Sequence, residues 1–125
     1  MKIVITGGAG FIGSNLVEYL VDRKFDITVL DNFSTGRKKN LAPFMSRINF
    51  VEADISRRDG WGYALRGTDY VVHLAALAEI VPSIQSPESY FLANVTGTLN
   101  LLEECRSLKL KKFVYAASSS CYGIP

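Results

Sequence analysis

Two cysteines, one histidine and one tryptophan are all that the sequence holds of the residue types that staple chains, ligate metals or anchor interfaces. Cys105 and Cys121 stand in no metal-ligand spacing, and His73 has no Cys, Asp or Glu partners at the intervals of a zinc site. Neither a disulfide scaffold nor a metal centre is expected, and reduced thiols point to the cytoplasm. No apolar run reaches about 18 residues and no signal peptide opens the chain, so no membrane partner is expected. Charge is not concentrated either: 14 basic and 12 acidic residues leave a net +2. Without a basic run interleaved with aromatics, nucleic acid is not an expected partner. There is no repeat, linker or low-complexity segment. With 125 residues and 48% hydrophobic content, one domain around one sizeable core is expected.

What the sequence does have is glycine in a telling place. Lys2 to Thr6 is an apolar, β-branched run that meets a helical pattern through Gly7, Gly8, Gly10 and Gly13. This reads as strand, phosphate loop, helix. Glycine permits positive φ and close backbone approach to a pyrophosphate, and the helix offers its positive end to the same anion. Two registers fit, Gly8-Gly10-Gly13 and Gly7-Gly10-Gly13. From Phe11 to about Arg23 apolar residues recur at helical spacing, and Phe25 to Leu30 follows as a second strand. Asp31, just past its end, stands where a dinucleotide fold places the acid that binds the adenosine ribose. Its charge would repel a 2′-phosphate, which favours NAD over NADP. The bland reading is an aspartate that starts a turn with Asn32.

Asn32 to Asn40 is a polar turn whose Arg37, Lys38 and Lys39 receive no role. Ile48 to Glu52 reads as the third strand. Beyond it Asp54 either bonds the adenine amino group or caps the segment beginning near Arg57, while Ile55 packs on the ring. A short helix is predicted over 58 to 66 and a fourth strand from Tyr70 to Leu74. The small Ala75 and Ala76 then let the backbone approach the cofactor. His73, with no GxSxG or similar nucleophile motif near it, reads as a core histidine. After a loop with Pro82 and Pro87, Glu88 to Leu108 forms the longest helix. Asn94 lies within it, where its side chain either bonds neighbouring backbone or faces solvent. Lys111 to Ala117 is the fifth strand, followed by Ser118, Ser119 and Ser120. The βαβ pattern and right-handed crossovers predict an α/β, Rossmann-like doubly wound parallel sheet ordered 3-2-1-4-5.

Taken together, Ile5 to Ser14, Val29 to Asn32, Val72 to Ala76, Asn94 to Thr98 and Ser118 to Gly123 resemble the extended short-chain dehydrogenase/reductase family. The nearest branch is the nucleotide-sugar epimerases, in particular UDP-sugar 4-epimerases. The resemblance runs from Met1 to Pro125 and selects the register Gly7, Gly10, Gly13. It implies that residues 1–125 are the amino-terminal part of an NAD-binding Rossmann domain, truncated after its fifth strand, with the rest of that domain and the substrate domain elsewhere. The implied cofactor set is Gly7, Gly10, Phe11, Ile12, Gly13, Asp31, Asn32, Ser34, Asp54, Ile55, Leu74, Ala75, Ala76, Asn94 and Ala116. Ser118 takes the place of the catalytic Ser or Thr, with Ser119 and Ser120 beside the substrate.

The implied reaction is epimerisation of a UDP-sugar at C4 by transient oxidation, in a homodimer paired through the long helix. The family's YxxxK motif has no match after Ser118, and Tyr122 is not its tyrosine, so this chain by itself is expected to be inactive. Ser119 and Ser120 replace the Asp-Glu pair of the dehydratases, which favours epimerisation. Ala78 stands where glucose/galactose epimerases often have lysine, which leaves the sugar open. The alternatives are a sugar dehydratase or reductase of the same family, and a non-catalytic NAD-binding or redox-sensing module.

Overall fold

Five of the first six residues build the strand on which everything else is hung. In the computed structural model β1 (Lys2–Thr6) pairs in parallel with β2 (Asp26–Asp31) on one side and β4 (Tyr70–His73) on the other. β3 (Asn49–Glu52) extends the sheet beyond β2, and β5 (Lys112–Tyr115) beyond β4. The order is 3-2-1-4-5, all parallel, as the sequence predicts. The structure describes residues 1–123, and for Ser119 and Ser120 the backbone alone, so the two serines expected beside the substrate have side chains outside the described set.

The β-branched runs are buried on both faces because each face has its own cover. Ile3, Ile5, Ile27 and Val29 pack against Val17 and Val21 of α1 (Phe11–Val21) and Leu41 at the end of the one-turn α2 (Lys38–Leu41). On the other face Val4, Leu30 and Val71 meet Trp61, Ala64 and Leu65 of a 3₁₀ segment (Trp61–Leu65), and Leu101 and Cys105. The alternation along β1 thus sorts successive side chains between two cores.

Three expectations need correction. A 3₁₀ segment replaces the helix over 58 to 66, because Gly60 enters it at φ +100°. The stretch read as a loop around Pro82 contains α3 (Ile80–Gln85), where Pro82 is the third helical residue and its missing N–H has no intrahelical acceptor to lose. The long helix is composite: α4 (Pro87–Phe91), a π turn (Leu92–Thr96) and α5 (Gly97–Cys105) follow without a break in helical dihedrals. It ends at Cys105 rather than Leu108. Gly97, Leu101 and Cys105 face the core, while Phe91, Leu92, Val95, Leu99 and Leu102 form an exposed apolar face.

Candidate functional site

At the carboxyl ends of β1, β2 and β4 the chain encloses an open cleft of about 410 Å³. Its floor is the glycine loop. Gly7 leaves β1 at φ +71°, and a Cβ there would come within 2.7 Å of the Ala75 backbone nitrogen. Gly10 is the N-cap of α1, with its N–H on the Gly7 carbonyl and its own carbonyl accepting from Ser14 N–H. Gly13 lies on the Gly7-Gly8 backbone so closely that any Cβ would overlap the Gly7 carbonyl oxygen. Gly8 has a different reason for being glycine: its Cβ would sit 2.6 Å from Val29 Cγ1, so it serves packing on β2. The geometry thus gives the Gly7-Gly10-Gly13 set the loop and the helix start.

Ala9 fixes which way the loop faces. Its N–H donates to Asp31 Oδ2 at 2.8 Å, and its carbonyl accepts from Arg37 N–H at 3.1 Å and Asn40 Nδ2 at 2.8 Å. Phe11, Ile12 and Gly13, whose first-turn N–H groups have no intrahelical acceptors, line the cleft. A helix N-terminus presented this way attracts an anion.

Asp31 is the last residue of β2 and only 8% exposed. Besides Ala9 it accepts from Phe33 N–H through Oδ1 at 2.8 Å, which holds Phe33 at φ +56°. Phe33 stacks on Phe50 with ring centroids 5.0 Å apart. A carboxylate offers about four lone-pair sites, so two remain for hydroxyl donors in the cleft. The turn-forming reading of Asp31 is thus what the structure shows, and among the described residues the bonds to Ala9 and Phe33 leave part of the carboxylate without a protein partner. Asn32 closes its own turn, Oδ1 accepting from Ser34 N–H. Gly36 packs where a Cβ would meet Ala9 Cβ at 2.8 Å. Gly36 and Asn40 are contributions that the sequence reading missed, since a polar turn gives no hint of what it packs on.

On the far wall, Asp54 lines the cleft while its Oδ1 accepts from Ser56 N–H and Oγ. It organises a turn, and no α-helix begins near Arg57. Ile55, buried beside it, has its carbonyl held by Asn100 Nδ2 at 3.0 Å. Leu74, Ala75, Ala76 and Ala116 also line the cleft, together with Ala53 beside Asp54 and the unanticipated Leu77 and Ala93.

Asn94 is the exception among the expected cofactor residues. Its side chain is not in the lining, because Oδ1 accepts from Leu77 N–H and Nδ2 donates to the Leu77 carbonyl, both at 2.8 Å. Ser118 lies two residues beyond Ala116, its carbonyl accepting from Cys121 N–H at the start of a 3₁₀ turn (Ser119–Tyr122). It is exposed and outside the lining of this cleft.

His73 is 1% exposed, and burial lowers its pKa from 6.5 to about 4. Nδ1 lies 2.6 Å from Thr6 Oγ1 and Nε2 lies 2.8 Å from Thr98 Oγ1. The neutral ring is a satisfied core group rather than an acid or base facing the cleft.

The arrangement suits a dinucleotide: an anion on the α1 amides, a diol on Asp31, and apolar walls for flat rings. Small residues and glycines, not charged side chains, bring the backbone close to such a ligand. The sequence profile of the NAD dependent epimerase/dehydratase family matches residues 3–125. UDP-glucose 4-epimerase of Lactobacillus helveticus is 36% identical over 127 residues, covering 100% of this chain and 38% of that protein. UDP-glucuronic acid decarboxylase 1 of Arabidopsis thaliana is 38% identical over 125 residues, covering 100% of this chain and 28% of that protein. Among solved structures, Thermus thermophilus UDP-glucose 4-epimerase in complex with NAD matches with a TM-score of 0.85 at 38% identity. That match covers 94% of this chain and 38% of the Thermus chain. This chain therefore spans less than two fifths of these relatives, and belongs to the NAD dependent epimerase/dehydratase family.

Proposed function

We propose that residues 1–125 are the NAD-binding amino-terminal part of a UDP-sugar 4-epimerase that works by transient oxidation at C4. The observation that carries this reading is the inward-turned Ala9 peptide: Asp31 and the 37–40 segment grip it, leaving the α1 amides to a diphosphate. Asp31 would accept from the ribose hydroxyls, and Ile55 would pack on the adenine. NAD, when bound, supplies the hydride acceptor. Ser118 would donate to the reacting sugar oxygen at the β5 end of the site. A base of the YxxxK kind must take the hydroxyl proton, and no such motif follows Ser118 in this sequence.

Titration calorimetry of this chain with NAD and with NADP tests the reading, coupled to an assay for interconversion of UDP-sugars. The expected result is saturable NAD binding, weaker NADP binding and no turnover. Failure to bind NAD would remove the proposal, and turnover by this chain would refute the need for an outside base.

The similarity to a UDP-glucuronic acid decarboxylase over the same residues supports a second reading, another nucleotide-sugar enzyme of the family. Product analysis with a longer form of the protein separates the two. The exposed apolar face of the long helix supports a homodimer, and light scattering of this chain should show association that grows with concentration. A cytoplasmic setting agrees with the two unpaired thiols, one buried and one exposed.

A further inference from the structure

One wall of the cleft is made of chain without regular structure. After His73 the backbone leaves the sheet, and Leu74 to Ala78 line the cavity before α3 begins. Its position matters to the glycine loop, because Gly7 packs directly against the Leu74-Ala75 backbone. A polar chain runs behind this wall. Ala75 N–H donates to Thr6 Oγ1 at 3.2 Å, and Thr6 Oγ1 lies 2.6 Å from His73 Nδ1. On the other side of the ring, Nε2 meets Thr98 Oγ1 at 2.8 Å, and that hydroxyl donates to the Asn94 carbonyl at 2.6 Å. Asn94 then grips both the N–H and the carbonyl of Leu77.

The directions are fixed by donor count. Thr98 gives its single proton to Asn94, so His73 must donate from Nε2 and accept at Nδ1, and Thr6 must donate to it while accepting from Ala75. The chain starts and ends on the same wall, two residues apart. Its members come from β1, β4 and the long helix, and so it joins all three to this segment. The Asn94 end falls in the π turn, a local distortion that brings Ala93 into the cavity lining beside it.

We propose that Thr6, His73, Thr98 and Asn94 form a positioning circuit that sets the Ala75–Ala78 wall of the cofactor cleft, so that NAD affinity depends on residues outside the lining of that cleft. The inference rests on the proposed NAD site. The neutral state of His73, which its burial secures, is the state the donor directions require.

The test uses this chain with Thr98→Val, His73→Phe and His73→Gln, measuring NAD affinity by calorimetry, Leu77 amide exchange by NMR, and Tm. Thr98→Val is isosteric and removes only the link between ring and Asn94. It and His73→Phe should each weaken NAD by about tenfold and speed Leu77 exchange by about as much, the loss of one buried hydrogen bond in a network. His73→Gln, whose carboxamide can accept from Thr6 and donate to Thr98, should recover most of both. Should His73→Phe not fold, Thr98→Val decides. Unchanged NAD affinity and unchanged Leu77 exchange in Thr98→Val, even with a lowered Tm, would overturn the circuit. If the unsubstituted chain does not bind NAD, the proposed function fails, and Leu77 exchange alone judges the circuit.

Discussion

Lowering the pH from 7.5 to 4.5 should destabilise this protein steeply, and the slope should belong to one residue. His73 has a folded-state pKa near 4 against 6.5 when exposed, because burial disfavours the imidazolium. Below 6.5 the unfolded chain binds a proton that the native chain refuses until about pH 4, so stability is full above 6.5 and is lost as pH falls between the two values. Integrating over that window gives a loss of about 2.5 kcal/mol by pH 4.5. With a urea m value of roughly 1–2 kcal/mol/M for a chain of this size, the unfolding midpoint should fall by about 1.3–2.5 M. Urea titrations at pH 7.5, 6.5, 5.5 and 4.5, followed by fluorescence of the single, buried Trp61, make the measurement. The sequence contains no other histidine, and Asp69, whose carboxyl is lowered by its bond to Lys111, loses its share only below 3.8. His73→Gln should flatten the curve in this window. A wild-type midpoint that stays level from pH 7 to 4.5 would refute both the neutral ring and the donor directions assigned to it.

Gly13→Ala should lower Tm by about 4–10 °C, since the added methyl forces α1 off the Gly7 carbonyl, an overpacking worth about 1–3 kcal/mol; a calorimetric scan showing no change would contradict the contact. Asp31→Ala should leave the Ala9 and Phe33 amides unpaired, lowering stability by about 2–4 kcal/mol in urea titrations. The same variant should weaken NAD more than NADP, and equal losses would limit Asp31 to loop organisation. In native protein at pH 8 a thiol reagent should modify Cys121 promptly and spare Cys105, whose buried thiol is pushed up to about 11, with both reacting in denaturant.

The sheet order and the cofactor loop were legible because both are written in local terms. Parallel central strands are short apolar runs, and a glycine loop between strand and helix is a contiguous pattern. Element ends were less so: Asp31 extends β2 because its neighbour Glu52 pairs with it across the sheet, a fact outside its own segment. The same limit explains Asn94. Its residue type and its place mid-helix raised the question of a partner, but Leu77 is 17 residues away. Thr6, Thr98 and Asn40 receive no individual role from the sequence, because their partners lie far from them along the chain. Pro82 misled for a local reason, since a proline stops a helix only where an acceptor awaits its N–H.

β1 occupies the middle of the sheet, and its two neighbours reach it by very different lengths of chain. Lys2 meets Asp26 through one helix, whereas Thr6 meets His73 across 67 residues. By loop-closure entropy alone the second pairing is harder to form by about 0.9 kcal/mol, and every contact of β4 with β1 waits on it. The first 31 residues thus bring the glycine loop and Asp31 together over short chain separations, while the Ala75–Ala78 wall takes its place only through the distant pairing of β4. The cleft is a seam between parts of the chain joined over short and over long separations, and the hydrogen bonds that Thr6 accepts from Ala75 and makes with His73 are the stitches that close it.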